Sequence, residues 1–550
     1  MNLEVLKQTL ASLDINPDEI EDERYAKAFL ILFAIIEILS EDINTLKAEN
    51  QKLRDEINLL KGEQTKPKIL GSKKNDDISS ENERKERNPL KTRDSNARKD
   101  KIEIHHTEIC RVDKSILPND AVFKGYSCVT IRDINLEPWN TNYRREVFYS
   151  PSERKTYSGE LPDGVKGEFG PGIQTHVLNL YHVANVSEPK IHELLESMGI
   201  LISIATISRI ITENNDIFHE EKSDIFKSGL NSTTYQQIDD TSARVNGNNW
   251  YTQIICNPYY AAYFTVPHKN RETILDILLC GNEKMYCFNE EAFKLMEMFN
   301  VSRFWVEKLS SFEGETCTNQ EMNLKMDYVF SPTGYKNTKI RVFEACAIAA
   351  YHQMTNIPVI TTLLSDDASQ FSKLTLQQAH CWIHDGRNYK KLRPIVPYYE
   401  DKLKAFLDCY WDYYAKLYDF RINPDAEVAK LLEAEFDQLF STITGYQQLD
   451  ERIRKTKEKK KSLLLVLTMP EIPLHNNAAE LAARVKVRKR DVSLQTVTDK
   501  GTKANDTFMT IVQTAKKLRV SICDYIYDRV SNKFEMPSLA QLIREKSSIS

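Results

Sequence analysis

The sequence predicts an α/β fold, and three stretches support this prediction. The stretch from Thr233 to Pro267 alternates polar and apolar residues around an NGNN turn signal, which is typical of a β-hairpin or meander. Val359 to Leu364 is a run of β-branched and leucine residues that predicts a buried strand. Leu474 to Arg490 is rich in alanine and free of glycine and proline, so it predicts a helix.

The predicted helix carries a row of polar groups along one face. Asn476, Glu480, Arg484 and Arg488 follow one another at intervals of four, which places them on the same side of a helix. Asn476 or Asn477 can cap its start, and an acid in the first turns suits the helix dipole. A carboxylate beside arginines suggests a metal ligand next to a phosphate backbone. The alternative is an ordinary surface helix with an Arg–Glu ion pair.

Two aspartates lie at the predicted strand ends. Asp239 is expected where the first strand ends, and Asp366 lies just past the end of the strand at 359–364. Together with Glu480 they follow the order Asp, Asp, Glu, which is the carboxylate set of an RNase H-like nuclease core. Such a core needs three acids because two divalent cations, roughly 4 Å apart, must be held by oxygen ligands.

Several longer motifs resemble the corresponding segments of the insertion-sequence-66 (IS66) family of DDE transposases. The resemblance runs in order from about Glu160 to Tyr527. It rests on motifs of up to several tens of residues, which makes it far more specific than a pair of aspartates alone. The motifs are GEFGPGIQTHVLNLYHVANVSEPKIHELLESMGILISIATISRII, DDTSARVNGNNW, LLSDDASQF followed by HCWIHDGRNYKKL, and HNNAAELAARVKVRKR.

The resemblance implies a catalytic role and a metal for the three acids. Asp239, Asp366 and Glu480 would bind two Mg²⁺ (or Mn²⁺) ions per active site and catalyse DNA strand cleavage and strand transfer. Asp240 and Asp367 are acidic neighbours, and the first acid of each pair is chosen because the family usually has glutamate at the second position of the first motif. The alternatives are an RNase H-like nuclease or resolvase, and an inactive, domesticated transposase that only binds DNA.

A histidine follows the second acid. Cys381 and His384 have a CxxH spacing that resembles a motif found after the second acid in several DDE families. His384 is therefore a candidate catalytic residue that organises the scissile phosphate or hydrogen-bonds a carboxylate. A histidine satisfied within the core is the alternative.

The N-terminal region predicts a coiled coil and hence a homodimer. Apolar residues alternate at spacings of three and four between Tyr25 and Leu60, with one asparagine, Asn50, in the series. This pattern favours a parallel two-stranded coiled coil, and two transposon ends must be held together. An amphipathic helix packed on the protein's own core is the alternative. The composition from Gly62 to Lys101 predicts a disordered charged linker.

Two small units are expected before the core. Residues 102–165 predict a β unit. The resemblance implies a four-cysteine zinc-binding module in this region, but only Cys110 and Cys128 remain here, so we expect a metal-free remnant with no structural zinc. Residues 166–230 predict helices, two of which resemble a helix-turn-helix. Arg209 lies on the exposed side of the second helix and would enter a DNA groove, although packing within a helical core explains the pair equally well.

Basic side chains near the acids and in the run from Arg452 to Lys461 predict contacts with DNA phosphates. The segment from 396 to 470 predicts an all-helical insertion domain, and the last residues are expected to be frayed. The residues predicted to contact DNA are Arg209, Arg387, Lys390, Lys459, Lys460, Lys461, Arg484, Arg488, Lys489 and Arg490.

Composition sets the remaining expectations. The 550 residues suggest about three or four structural units. The net charge of −5 means that local basic clusters must carry any DNA contact. Scattered cysteines and the lack of a long apolar run predict a reduced, cytoplasmic protein with no membrane segment, and the resemblance implies association with the bacterial nucleoid. The predicted units are a coiled coil (1–62), the linker (63–101), the β unit (102–165), the helical DNA-binding region (166–230), the first part of the core (231–395), the insertion (396–470) and the last part of the core with C-terminal helices (471–550).

Overall fold

The structure is a computed structural model that describes residues 3–60, 104, 106–112, 126–131, 137–162, 167–330 and 334–548. Its strands are β1 (Val147–Ser150), β2 (Lys155–Ser158), β3 (Tyr235–Val245), β4 (Asn248–Cys256), β5 (Ala261–Val266), β6 (Tyr286–Cys287), β7 (Thr316–Cys317), β8 (Thr362–Ser365) and β9 (Gln377–His380). Its helices before β8 are α1 (Leu3–Leu13), α2 (Glu23–Leu60), α3 (Pro171–His182), α4 (Glu188–Ser197), α5 (Ile204–Thr212), α6 (Asp216–Leu230), α7 (Arg271–Leu278), α8 (Glu290–Met298), α9 (Arg303–Leu309), α10 (Asn319–Val329) and α11 (Lys336–His352). Those after β8 are α12 (Trp382–Lys390), α13 (Pro397–Ile422), α14 (Ala426–Leu439), α15 (Gln447–Glu458), α16 (Lys460–Leu463), α17 (Asn477–Ser493), α18 (Asp499–Leu518), α19 (Ile522–Val530) and α20 (Leu539–Ser548).

A five-stranded mixed sheet lies at the centre, in the order β5-β4-β3-β8-β9. The strands β3, β8 and β9 run parallel to one another, and β4 is antiparallel to both of its neighbours. Helices pack around this sheet, which confirms the predicted α/β class. Among the described residues, no helix is both long and apolar enough to cross a bilayer.

The strand that carries Asp239 is longer than predicted. β3 runs on through residue 245 and turns into β4 at Asn246 and Gly247, whose φ angles of 46° and 78° are both left-handed. This is the two-residue hairpin turn that the NG pair predicts. Asp239 therefore lies in the middle of β3. The first half of the strand pairs with β4 and β8, whereas the second half pairs with β4 alone, apart from a bridge between Val245 and Thr496.

The edge strand β5 is covered by α18. Backbone N–H groups of alternate β5 residues donate to side chains at intervals of four on this helix: Ala261 to Thr514, Tyr263 to Thr510 and Thr265 to Asp506. Because a strand repeats every two residues and a helix nearly every four, one helix face can satisfy one strand edge. An edge that would otherwise be open to another chain is thereby closed.

The helices between the two aspartates belong to the main core. α7, α8 and α11 lie between the two aspartates in the chain, and buried residues such as Leu275, Met296 and Ile348 join the same hydrophobic cluster as Ile238 of β3 and Phe508 of α18. The C-terminal end also contributes, since Leu539 and Ile543 of α20 are buried in this cluster. The expectation of a frayed end is therefore wrong for residues 539–548, because α20 has an apolar face that packs on α6.

The predicted insertion is helical, and its core extends into the sheet region. α13 to α15 share a second hydrophobic cluster with Trp382 and Tyr389 of α12. Gly386 permits the close approach of α12 to α13, since a Cβ there would lie 2.6 Å from Cη2 of Trp411. The helices that follow residue 396 are thus packed against the segment that carries His384.

The N-terminal helix α2 has two different faces. Phe33 is 5% exposed and packs in the second cluster, and the Glu37 carboxylate accepts hydrogen bonds from the backbone N–H groups of Ile395 and Val396. This part of the helix fits the alternative of packing on the protein's own core. Most residues of the heptad series are nevertheless exposed in the single chain. They are Tyr25, Leu32, Leu39, Ile43, Leu46, Leu53, Ile57 and Leu60.

The units between α2 and the core are small. β1 and β2 form an antiparallel hairpin within the predicted β unit, and Cys110 and Cys128 are both exposed. In the helical region, Gly199 follows α4 with a φ of 79°, and the Ser203 side chain caps α5 by accepting from the Thr206 N–H. The predicted linker lies outside the described residues.

Candidate active site

The three acids of the sequence analysis come from β3, the end of β8 and α17. The parallel register pairs Gln237 of β3 with Leu364 of β8. Asp239 lies two residues beyond Gln237 in β3, and Asp366 lies two residues beyond Leu364, just past the end of β8. The two acids are therefore near the same end of this parallel strand pair, and the charge of Asp366 contributes to raising the pKa of Asp239.

Glu480 reaches the same place because α17 packs on β3 and β4. Asn476 is the N-cap residue of α17, but its side chain does not cap the helix. Its Nδ2 donates instead to the backbone oxygen of Ile238, at 2.7 Å. The helix start is thus fixed beside the residue that precedes Asp239, and Glu480 follows one turn later.

The electrostatics show that the acids affect one another. The pKa of Asp239 is raised to about 7, chiefly by burial; the hydrogen bond from the Asp240 N–H opposes the rise, and the charges of Asp366, Glu480 and Asp240 add to it. Burial also raises the pKa of Asp366. A carboxyl group with a pKa this high is typical of a site in which binding of a proton or a cation would stabilise the negative charge.

The acidic neighbours have other partners. Asp240 accepts a hydrogen bond from Gln370 at 2.8 Å and lies 3.4 Å from the Lys269 ammonium. Asp367 lies between His384 Nε2, at 3.2 Å, and Lys459 Nζ, at 2.5 Å. Both neighbours therefore have cationic or amide partners within the protein.

In the described part of the chain, the hydrogen bonds that the carboxyl groups of Asp239 and Asp366 accept come from backbone groups. The donors are the N–H groups of Asp240 and Ala368, respectively. The choice of the first acid in each pair stays a prediction, and this difference in partners favours it.

Glu480 is paired with a guanidinium group. Arg387 Nη1 lies 3.2 Å from its Oε1, so this arginine, which the sequence assigns to DNA, neutralises the acid in the metal-free chain. Among the described residues, no three His, Cys, Asp or Glu side chains are placed to hold a metal ion together.

The donor chemistry nevertheless fits a hard divalent cation. All three acids offer carboxylate oxygens, and Asn476 Oδ1 is buried without a hydrogen-bond donor. The residues that would hold Mg²⁺ are Asp239, Asp366 and Glu480. A cation would have to replace Arg387 as the partner of Glu480.

A buried ionic network behind His384 was missed by the sequence reasoning. Asp385 is 2% exposed and accepts hydrogen bonds from Arg452 and from Thr456 Oγ1, and Lys459 Nζ lies 3.4 Å away. The run from Arg452 to Lys461 has the composition of a phosphate-binding segment, but the side chains that face α12 neutralise acids of the protein. The spacing of Arg452, Thr456 and Lys459 at three and four residues was the available signal.

Some of the predicted DNA contacts lie on the surface. Arg484 and Arg488 are exposed on α17, Lys461 is exposed on α16, and Arg209 is exposed on α5, where it donates to Thr206 Oγ1. Lys390 is half-buried in the last turn of α12. DNA contact by these side chains stays a prediction.

Other residues predicted to contact DNA have partners within the protein, and their contact with DNA stays a prediction. Lys489 is 3% exposed, its Nζ donates to the Tyr181 backbone oxygen at 2.6 Å, and it lies over the Tyr181 ring, so it is a packing residue in this structure. Lys459 pairs with Asp367, and Lys460 pairs with Glu433 and Asp437. Arg490 donates to the backbone oxygen and the side chain of Ser242. These cations already have partners within the protein because helix packing, which composition does not reveal, turned them inward.

Comparison with known proteins identifies the family. The model described as "Transposase IS66 family" matches residues 335–504, a range that contains Asp366, His384 and Glu480. "Uncharacterized protein y4jO" of Sinorhizobium fredii (strain NBRC 101917 / NGR234) is 31% identical over 302 residues, which are 55% of this chain and 93% of that protein. Together with the sheet and the acids at its centre, these matches show that the chain belongs to the IS66 family of transposases.

Proposed function

We propose that this transposase cleaves and joins DNA strands by a DDE mechanism in which Asp239, Asp366 and Glu480 bind two divalent metal ions, Mg²⁺ or Mn²⁺. The catalytic core would be RNase H-like, with β3 and β8 as the neighbouring parallel strands and α17 as the helix that brings the third acid. The order and direction of the five strands support this core.

One observation carries the proposal. Burial raises the pKa of Asp239, and the charges of Asp366 and Glu480 add to this rise, so three carboxylates from distant parts of the chain interact at one place. Carboxylates that are far apart in sequence are rarely brought together and half-buried without a cationic ligand, since their repulsion and desolvation oppose folding.

Different residues of the chain would bind the metal ions, bind the DNA phosphates and orient the substrate. When bound, the two metal ions supply positive charge to the attacking and leaving oxygens of a phosphodiester. The three acids would hold this site, and Arg484 and Arg488 on the exposed side of α17 would bind the phosphates that flank the scissile bond. His384, held by Asp367, would orient a phosphate oxygen near the site.

The reaction would proceed in two phosphoryl transfers. In the first, a water oxygen forms a bond to phosphorus at the transposon end, and the P–O bond to the leaving 3′ oxygen breaks, which frees a 3′-OH. In the second, this 3′-OH attacks a phosphodiester of the target DNA and a target 3′ oxygen leaves. Each transfer exchanges one P–O bond for another, so no covalent protein intermediate is needed.

The partners would be double-stranded DNA and a second copy of the chain. The exposed heptad series of α2 offers an apolar stripe to another α2, and a dimer would hold two transposon ends.

The test compares acid variants on DNA that carries the ends of the element. Asp239→Asn, Asp366→Asn and Glu480→Gln are assayed with Mg²⁺ on a plasmid that carries the native locus of the gene with its flanking DNA. We expect each to lower strand cleavage by roughly a thousandfold, since metal binding supplies several kcal/mol of transition-state stabilisation. DNA binding should change by less than about twofold.

Two comparisons make this test specific. Asp240→Asn should keep substantial cleavage, because its side chain contacts Gln370 and Lys269, and the exposed Asp524→Asn should match the wild type. Full cleavage by any one of the three acid variants would remove that residue from the triad. A wild-type enzyme that cleaves but never yields joined strands would be a nuclease, and one that binds DNA without cleaving it would be an inactive family member.

A further inference from the structure

The segments that carry the three acids meet at one buried cysteine. Cys381 is 2% exposed and lies between β9 and α12. Its backbone N–H donates to the oxygen of Ser365, at 3.0 Å, and Ser365 is the residue before Asp366. This first contact ties the end of β8 to Cys381.

The Cys381 sulfur makes two further contacts. Sγ accepts hydrogen bonds from the backbone N–H of Asn476, at 3.3 Å, and from that of His384, at 3.4 Å. The Asn476 side chain in turn donates to the oxygen of Ile238, the residue before Asp239. One thiol and one amide thus connect residues that directly precede both aspartates with the residue one turn before Glu480.

We infer that Cys381 and Asn476 are positioning residues that set the separation of Asp239, Asp366 and Glu480. This inference rests on the proposed function for its effect on catalysis, but the contacts themselves are independent of it. Cys381, the cysteine of the CxxH pattern, would therefore affect catalysis by holding the acid-bearing segments in place, without contacting DNA or metal.

The chemistry of the thiol supports a structural acceptor. Burial raises the pKa of Cys381 to about 11, so the group is a neutral thiol at physiological pH and a poor metal ligand. His384 does not complete a zinc site with it, since its Nε2 faces Asp367. Sulfur is a weak acceptor, but two N–H groups that would otherwise be buried without partners depend on it.

The surrounding contacts indicate that loss of the sulfur would shift the acids without unfolding the chain. The Trp382 N–H donates to the Leu474 oxygen at 2.9 Å, and this backbone bond keeps α12 beside the start of α17. Removing Sγ therefore frees the first turn of α17 to move by a fraction of an ångström. Metal and phosphate chemistry is sensitive to displacements of this size.

The test uses three variants and one control. Cys381→Ala removes the acceptor, Cys381→Ser keeps one on a shorter bond, and Asn476→Ala removes the contact with Ile238. Cys346→Ala is the control, because Cys346 is a fully buried thiol in the main core, where no hydrogen bond from a backbone N–H to its sulfur is found among the described residues. Each full-length variant is measured for melting temperature, DNA dissociation constant, cleavage rate at saturating DNA and amide hydrogen exchange in peptides that cover 381–390 and 474–484.

We expect Cys381→Ala and Asn476→Ala to lower the cleavage rate between about tenfold and a hundredfold, with an unchanged DNA dissociation constant. Amide exchange at 474–484 should be faster in both, while Cys381→Ser should recover most of the rate and of the protection. Cys346→Ala should match the wild type in rate and in exchange at these peptides.

Several results would overturn the inference. Cys381→Ala with wild-type cleavage and wild-type exchange would do so, as would a serine variant no better than alanine. If Cys381→Ala did not fold, the Asn476→Ala and Cys381→Ser results would decide. A wild-type protein that cleaves no DNA would refute the proposed function, whereas the exchange data would still test the contacts.

Discussion

At the scale of single residues, neighbours on α17 have opposite roles. Arg488 is exposed, and Lys489, the next residue, is 3% exposed and bound to Tyr181. Successive side chains on a helix are about 100° apart, so a basic run necessarily turns some members toward the core. A basic sequence can therefore predict that a helix binds phosphate, but it is a poorer guide to which side chains of that helix make the contact.

This difference leads to a prediction for DNA binding. Arg488→Ala should weaken binding and lower the slope of log affinity against log salt concentration by about 0.9, the value for one phosphate contact. Lys489→Met keeps the aliphatic stem and should leave affinity and slope unchanged, since its ammonium faces the Tyr181 oxygen. Fluorescence anisotropy over a range of salt concentrations measures both. Equal losses in the two variants would contradict the assignment of Lys489 to packing.

The sequence predicted the acids better than their surroundings. Asp366 lies directly after β8, and Glu480 lies on the predicted helix, because strand ends and helix faces follow from local periodicity. The sequence analysis did not predict that Asp239 lies inside β3. The extent of a strand depends on its pairing with neighbouring strands, and this pairing joins parts of the chain that are far apart in sequence. Contacts such as Arg387 with Glu480 join residues far apart in the chain, and local patterns carry no information about them.

At the scale of elements, α2 combines both alternatives of the sequence analysis. Its face with Phe33 and Glu37 packs on the protein's own helices, and the heptad stripe on another side is exposed. Beyond Ser40 almost every described side chain of the helix is exposed. A long helix whose apolar stripe is mostly left exposed by the described residues favours pairing with a second copy.

The exposed apolar stripe of α2 predicts a dimer, and a single charged residue introduced into this stripe should weaken the dimer. Leu46→Glu should weaken dimerisation at least about 100-fold, because each leucine buried at the interface contributes about 1.5–3 kcal/mol and two are lost per dimer. Ala48→Glu adds the same charge on the opposite side of the helix and should remain dimeric. Sedimentation equilibrium distinguishes the two, and circular dichroism checks that helix content is kept. A wild-type monomer at micromolar concentration would refute the pairing.

At the scale of the whole molecule, the segments that carry the three acids belong to different hydrophobic clusters. β3 and α18 belong to the main cluster, whereas Cys381 and Trp382 belong to the cluster of the helical insertion. The helical insertion therefore packs against one side of the candidate site, and its Lys459 forms an ion pair with Asp367 on that side. Stability and activity are coupled at the candidate site, since the same half-buried carboxylates that would bind metal ions oppose folding without them.

The coupling predicts how stability depends on pH. The folded-state pKa of Asp239, about 7, lies above the unfolded value near 3.8, so its favourable contribution is complete below about pH 4 and is lost as the pH rises through 7. Half-buried His219 and His380, each with a pKa lowered to about 4, act in the opposite direction as the pH falls below 6.5. The net curve is therefore mixed, and a variant must isolate the carboxyl group.

Asp239→Asn isolates it, because asparagine cannot ionise. Without metal, we expect this variant to melt close to the wild-type temperature below about pH 4, where Asp239 is protonated in both the folded and the unfolded chain, and roughly 2–4 °C higher at pH 8. Mg²⁺ should raise the wild-type melting temperature at pH 8 and have little effect on the variant, since the cation replaces the proton as the partner of the carboxylate. Calorimetry with and without EDTA measures both effects, and Asp524→Asn serves as the surface control. A variant no more stable than the wild type at pH 8 would show that Asp239 bears no uncompensated charge, and the electrostatic argument for a metal at this position would fail with it.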